Sequence, residues 1–197
     1  MQFLLDHLAS VVITGILLLA ILATQFRGQQ ASVDAVQFYD AKTRLLSLVQ
    51  MIERDFTNIG SGVDSVKFAI TELDTVSVPA EFTFLARTDS TDSAAHTVTY
   101  QWEEEGDVTL KDKTTIPTYT VRRIIDGSIS GTSTGAVTNF RIDLFTADSF
   151  IVAANYAATR FINVSVKSVS TLGTVAQVEQ SAWNKSFRPV NLTRKPQ

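Results

Sequence analysis

From Leu8 to Thr24 the chain carries no charged side chain (LASVVITGILLLAILAT). This run limits the fold more than any other feature. In lipid, backbone N–H and C=O groups must find partners within the segment, and an α-helix supplies them all. At about 1.5 Å per residue the run is roughly 26 Å long, close to a hydrocarbon core of about 30 Å. Residues such as Leu8, Ile13, Leu17 and Leu22 each favour insertion by about 0.3–0.6 kcal/mol, so the sum is several kcal/mol. Only Ser10, Thr14 and Gly15 oppose it mildly. Asp6 and His7 bound the run on one side, Gln25 and Arg27 on the other. A cleaved signal peptide places basic residues before its apolar stretch. No Lys or Arg precedes this one, so a retained single-pass anchor is expected, in contact with membrane lipid.

Orientation has two signals that disagree. The positive-inside rule sees only Arg27, which would place the C-terminal side in the cytosol. The composition after Gly60, rich in Thr and Ser, fits an exported domain at an inner (cytoplasmic) membrane better. The chain has no Cys, so a disulfide framework, a thiolate metal site and a Cys nucleophile are all ruled out. The formal charge of -3 gives no basic footprint for nucleic acid.

No Pro or Gly interrupts the stretch from Gln29 to Ile59. Within it Phe38, Ala41, Leu45, Leu48, Ile52, Phe56 and Ile59 recur at spacings of 3, 4, 3, 4, 4 and 3. That is one face of a helix, either core or interface. Leu46, Val49 and Met51 widen the stripe. Asp40, Lys42, Arg44, Gln50, Glu53 and Asp55 are read as the polar side. Gly60 stands where a left-handed residue ends a helix. One helix from about Phe3 to Ile59 is therefore predicted, lipid-facing in its first half and amphipathic in its second, with Gly28 as a possible bend.

Beyond Gly62 the period falls to two. Phe82 and Phe84, then Val98, Tyr100 and Trp102, then Phe140, Ile142 and Leu144, then Ile162, Val164 and Val166 alternate with polar neighbours. These patterns predict half-buried strands. About seven strands are expected, antiparallel because no helix-length connector separates them. Gly106-Asp107 is read as a hairpin turn and Asp126-Gly127 as another. Thr88 to Ala95, Ser128 to Gly135 (SISGTSTG) and Ser168 to Gly173 are read as loops, and Arg188 to Gln197 as a loosely ordered tail. The fold class is α+β. Residues 1–27 form the transmembrane half of the helix, 28–60 its amphipathic half, 61–187 a β-rich domain and 188–197 a tail.

No catalytic constellation emerges, and no cofactor or metal is expected. His7 and His96 are far apart and lack ligand spacing. Glu103, Glu104 and Glu105 lack the spacing of a calcium loop and read as a solvated turn. Arg122 and Arg123 read as exposed or split-face strand residues. Asn163, Asn184 and Asn191 sit in N-x-S/T context, which is uninformative in so Ser- and Thr-rich a chain. A carboxylate at the edge of an apolar helix, as at Asp6, is either a headgroup-level helix-start residue or a paired charge within a bundle.

Three stretches resemble the type IV pilin superfamily, most closely its larger minor pilins and pseudopilins, the PilW-like and J-type members. Phe3-Leu4-Leu5-Asp6 resembles the family's F-T-L-x-E start. Leu45 to Ile59 resembles its helix end, with a Glu-Arg-Asp triplet after an apolar stripe. Val98-Thr99-Tyr100, Val137 to Asp143 and Phe161 to Lys167 resemble the strand order of PilW-like proteins. The resemblance implies a structural subunit, not an enzyme, that primes or caps a filament through contacts between homologous helices. It also implies that a carboxylate at mature position five pairs with a neighbour's N-terminal amine. Asp6 is fifth counted from Gln2; counted from Met1, Leu5 holds that place. The family's basic leader ending in Gly is not among these residues. Two other readings stand beside this one: a pilin-shaped subunit of another membrane assembly such as a virion or envelope complex, and an anchored binding or adhesion domain.

Overall fold

A computed structural model describes residues 2–63, 69–88, 94–110, 113–146, 156–169 and 180–192. One helix, α1, runs without interruption from Gln2 to Thr57. Gly28 lies inside it with no break. The helix ends as the sequence predicts: Gly60 has φ +76°, a conformation that costs a glycine little. Its N–H donates to the carbonyl of Leu85 at 2.7 Å, so the residue that ends the helix is tied directly to the sheet. A Cβ on Gly60 would lie 2.9 Å from that of Asn191 and 3.1 Å from that of Ala69.

Seven strands follow: β1 (Ile70–Asp74), β2 (Ala80–Ala86), β3 (His96–Thr109), β4 (Thr115–Ile125), β5 (Ser128–Phe145), β6 (Phe161–Val169) and β7 (Gln180–Phe187). They form a single antiparallel sheet whose spatial order is the chain order. The alternating residues face inward as expected. Phe82, Phe84, Val98, Tyr100, Trp102, Phe140, Ile142, Leu144, Ile162, Val164 and Val166 are all buried. The opposite face is polar and cross-linked laterally, with Thr83 and Thr99 hydroxyls 2.9 Å apart and Gln101 donating to Glu81 at 3.1 Å.

The second half of α1 completes the core. Phe56 is fully buried, its ring 5.4–5.6 Å from Phe84, Phe187, Phe82 and Tyr100. One helical residue thus touches β2, β3 and β7, so the sheet curls round the end of the helix. Ser168 donates to the carbonyl of Ala41 at 3.5 Å, which sets the helix running towards its N-terminus past the end of β6.

Several turn expectations are corrected. Gly106-Asp107 lies within β3, at a bulge between Glu104 and Gly106, because the ladder to β4 continues past it to Thr109. The chain reverses instead between Leu110 and Thr114, where Lys113 has φ 68°. Glu103, Glu104 and Glu105 are therefore strand residues, not a turn. Asp126-Gly127 is a turn, with φ 47° and 81°, as a two-residue type I′ hairpin requires. SISGTSTG is not a loop but the first arm of β5, paired to β4. Ser168 and Val169 belong to β6, and 170–173 lie outside the described residues, as do 89–93 of the expected Thr88–Ala95 loop. The tail is not loose at its start: Val190–Leu192 forms a 3-10 turn, and Leu192 packs against the core.

Candidate membrane and assembly surface

The sheet covers only part of α1. From Leu45 to Ile59 the stripe points into the core; Leu45, Leu48, Ile52 and Phe56 are at most 5% exposed. These four are core-face residues. Phe38, placed with them by spacing, is 42% exposed, with the Tyr39 ring 6.2 Å away. The covered strip has narrowed there to Gln37 and Ala41, so a residue on its flank is left outside. Leu46 is likewise exposed, while Val49 is buried.

Towards the N-terminus cover disappears. Leu8, Ile13, Leu17 and Leu22 are exposed, with Val11, Val12, Ile16, Leu18, Leu19, Ile21 and Phe26 beside them. None of the apolar window is buried inside the domain. A core helix of a soluble protein passes the same composition test, but its side chains are covered by its own fold; these are not. Among the described residues this is the one helix long and apolar enough to cross a membrane, and it is a candidate span near the N-terminus. Thr14 and Thr24 return their hydroxyl protons to the carbonyls of Ser10 and Ala20, each at 2.8 Å. Both threonine hydroxyls are thereby satisfied inside the helix, as lipid demands. Arg27 follows the run, exposed. Asp6 lies in the helix, and its side chain is outside the described residues.

No family model, curated protein or solved structure matches the chain.

Its charge placed Asp55 on the polar side; the fold puts it in the core at 1% exposed. Its carboxylate accepts from Arg123 Nε at 2.5 Å, from Arg123 Nη2 at 2.7 Å and from the Tyr100 hydroxyl at 2.7 Å. Arg123 also donates to Ser130 Oγ at 2.8 Å. A charge so deeply buried is tolerable only when paired and hydrogen-bonded, which is the case here. Burial, then the Asp55 carboxylate, holds the Tyr100 phenol well above its ordinary range. Hydrogen bonding and attraction from Asp55 raise Arg123 against the opposing effect of burial. The signal for Asp55 was present in the sequence. It stands three residues after Ile52 and four before Ile59, the same steps that define the stripe.

Of the adjacent arginines, the split-face reading holds. Arg123 points inward, while Arg122 pairs with Glu103 at 2.5 Å on the outer face. His96 opens β3 and is not a free loop residue; its Nδ1 lies 2.5 Å from Asp126 Oδ2 at the β4–β5 turn. Asn163 lies in β6 and accepts from Ser186 at 3.2 Å. Among the described residues no three His, Asp or Glu side chains gather as metal ligands would.

Proposed function

We propose that the chain is a structural subunit of the minor pilin or pseudopilin kind, anchored by α1 in an inner membrane with its β-domain exported, that primes or caps a pilus-like filament. The observation that carries this reading is a single helix with two opposed fates. Its C-terminal half packs into the core of an antiparallel sheet domain, and the run from Leu8 to Thr24 of its N-terminal half is apolar on every side and uncovered among the described residues. A helix hydrophobic all round belongs in lipid or against other apolar helices. Its partners are then lipid and the membrane-spanning helices of homologous or other subunits. In this role the protein does no chemistry, and nucleic acid is no partner.

The test is intact-mass and N-terminal peptide analysis of protein taken from native membranes, with cross-linking of its neighbours. Recovery of a processed, N-methylated terminus and of cross-links to other single-pass helices supports the reading. Protein that keeps Met1 and cross-links to no other subunit overturns the filament role.

A further inference from the structure

The cluster of Asp55, Arg123, Tyr100 and Ser130 is a buried, two-point directional contact between α1 and the sheet. Single-point contacts accompany it: Lys185 on β7 donates to Glu53 at 2.6 Å, nearer solvent, and Ser168 on β6 donates to the Ala41 carbonyl at 3.5 Å. The remaining helix–sheet contacts in the core are mainly apolar: Leu48, Ile52, Phe56 and Ile59 against Phe82, Phe84 and Phe187. Apolar contact is non-directional, and cores accept small shifts of such groups. A bidentate guanidinium–carboxylate pair accepts none, because two parallel N–H donors must meet two oxygens. With side chains reaching about 5–6 Å from a helix axis, a rotation of about 30° would move the Asp55 carboxylate by about 3 Å. Both Arg123 bonds and the Tyr100 bond would then break inside the core.

We infer that the Asp55–Arg123–Tyr100 cluster is a rotational clamp: it sets the azimuth of α1 about its own axis, and so fixes which side of the apolar half faces which side of the sheet. The helix can carry that setting. It has no Pro from Gln2 to Thr57 and is continuous over that length. Gly28 does not interrupt it. The clamp is also buttressed from behind. Met51, one turn before Asp55, lies against Gly131, where an added Cβ would be 3.0 Å from its sulfur and 3.8 Å from the Cβ of Arg123. Gly131 lets the helix and the β4–β5 hairpin approach this closely, next to Ser130, which holds the far side of the guanidinium. The consequence for a membrane assembly is that a subunit presents one defined side of its span to its neighbours. That consequence rests on the anchoring reading above; the rotational setting does not, so membrane extraction tests the one and internal distances test the other.

The absence of Cys makes the experiment clean, since every thiol label goes where it is placed. In the full chain in lipid nanodiscs, Ser32→Cys is paired with Asn184→Cys on β7 and, separately, with Thr71→Cys on β1, all at exposed positions. Spin-label distances are then measured with the cluster intact and in the variant Asp55→Leu/Arg123→Met/Tyr100→Phe. The intact cluster should give narrow distributions. The variant, with its sheet signal in circular dichroism retained, should give distributions at least twofold broader or displaced by several ångströms in both pairs. Unchanged distributions overturn the clamp. If the triple variant does not fold, Arg123→Lys in the same label pairs decides: it keeps the charge but loses the two-point grip, so broadening supports the clamp and identical distributions overturn it.

Discussion

Replacing Arg123 with Met should be among the most damaging single changes in the domain, and pairing it with a second change should undo the damage. Met matches the length of the arginine stem and keeps the packing beside Gly131. What it removes is both guanidinium bonds to Asp55, leaving a carboxylate only 1% exposed with the Tyr100 hydroxyl as its remaining partner. Stripping one partner from a buried pair costs about 3–5 kcal/mol, most of it the uncompensated charge. Asp55→Leu should cost less, because Arg123 is 9% exposed, keeps Ser130, and has a long stem with which to reach solvent. In Asp55→Leu/Arg123→Met no charge is left behind, and such apolar replacements are commonly neutral or stabilising. Both tryptophans, Trp102 and Trp183, lie in the sheet and report on it. Urea unfolding of the full chain in micelles would follow their fluorescence. With a slope of about 2 kcal/mol/M, a loss of about 4 kcal/mol moves the midpoint down by about 2 M. The double variant should return to within about 0.5 M of the starting midpoint by the same conversion. A midpoint for Arg123→Met within about 0.3 M of the parent, or a double variant as poor as the sum of the singles, would refute the account of this pair as a buried charge held only by its partner.

Four further outcomes are expected. Leu48→Asp puts an unpaired carboxylate in the core and should unfold the sheet, read as loss of the β signal in circular dichroism; a folded variant would show that the helix face is not core. Leu17→Asp costs about 3 kcal/mol of insertion free energy, so part of the protein should move into the alkaline-carbonate supernatant of isolated membranes. Because the folded Tyr100 phenol is held above the unfolded value of about 10, the unfolded chain loses that proton first. Stability should be complete below about pH 10 and decline as pH rises above it, and Tyr100→Phe should flatten that decline in urea midpoints measured from pH 9 to 11. Gly60→Val meets both a φ of +76° and the Cβ atoms of Asn191 and Ala69, and should lower the urea midpoint by an amount equivalent to about 2 kcal/mol or more.

The elements set by long periodic patterns were legible in the sequence: the helix from its 3- and 4-residue steps, its end from Gly60, and the inward strand faces from alternation at Phe82, Val98, Phe140 and Ile162. What misled were short local signals overruled by neighbours far along the chain. Gly106-Asp107 has turn chemistry, yet pairing with Pro117 and Thr118 keeps it in a strand. Ser128–Gly135 looks like a linker because its residues are small and polar. It is an outer hairpin arm, where Gly131 exists to admit Met51 and not to supply flexibility. Asp55 was misread because its charge outweighed its position. Its partner, Arg123, is 68 residues away, and nothing local announces it. At Phe38 the sequence left core and interface open, since periodicity cannot tell where the sheet stops covering the helix; the fold leaves it 42% exposed.

A sheet whose spatial order is its chain order can be laid down strand by strand as the polypeptide emerges, each strand finding its neighbour already made. The helix has no such fortune. Phe56 is synthesised before any strand, yet one wall of its cage is Phe187 in the last one. At about 5–20 residues per second, the gap is on the order of ten seconds. Through that interval the apolar face from Leu45 to Ile59 is unhoused, on a chain whose N-terminal run is itself a candidate membrane span. Completion of β7 is thus what closes the core over the helix. A product that stops short of Phe187 leaves its helix open to chaperones and proteases, which would remove it.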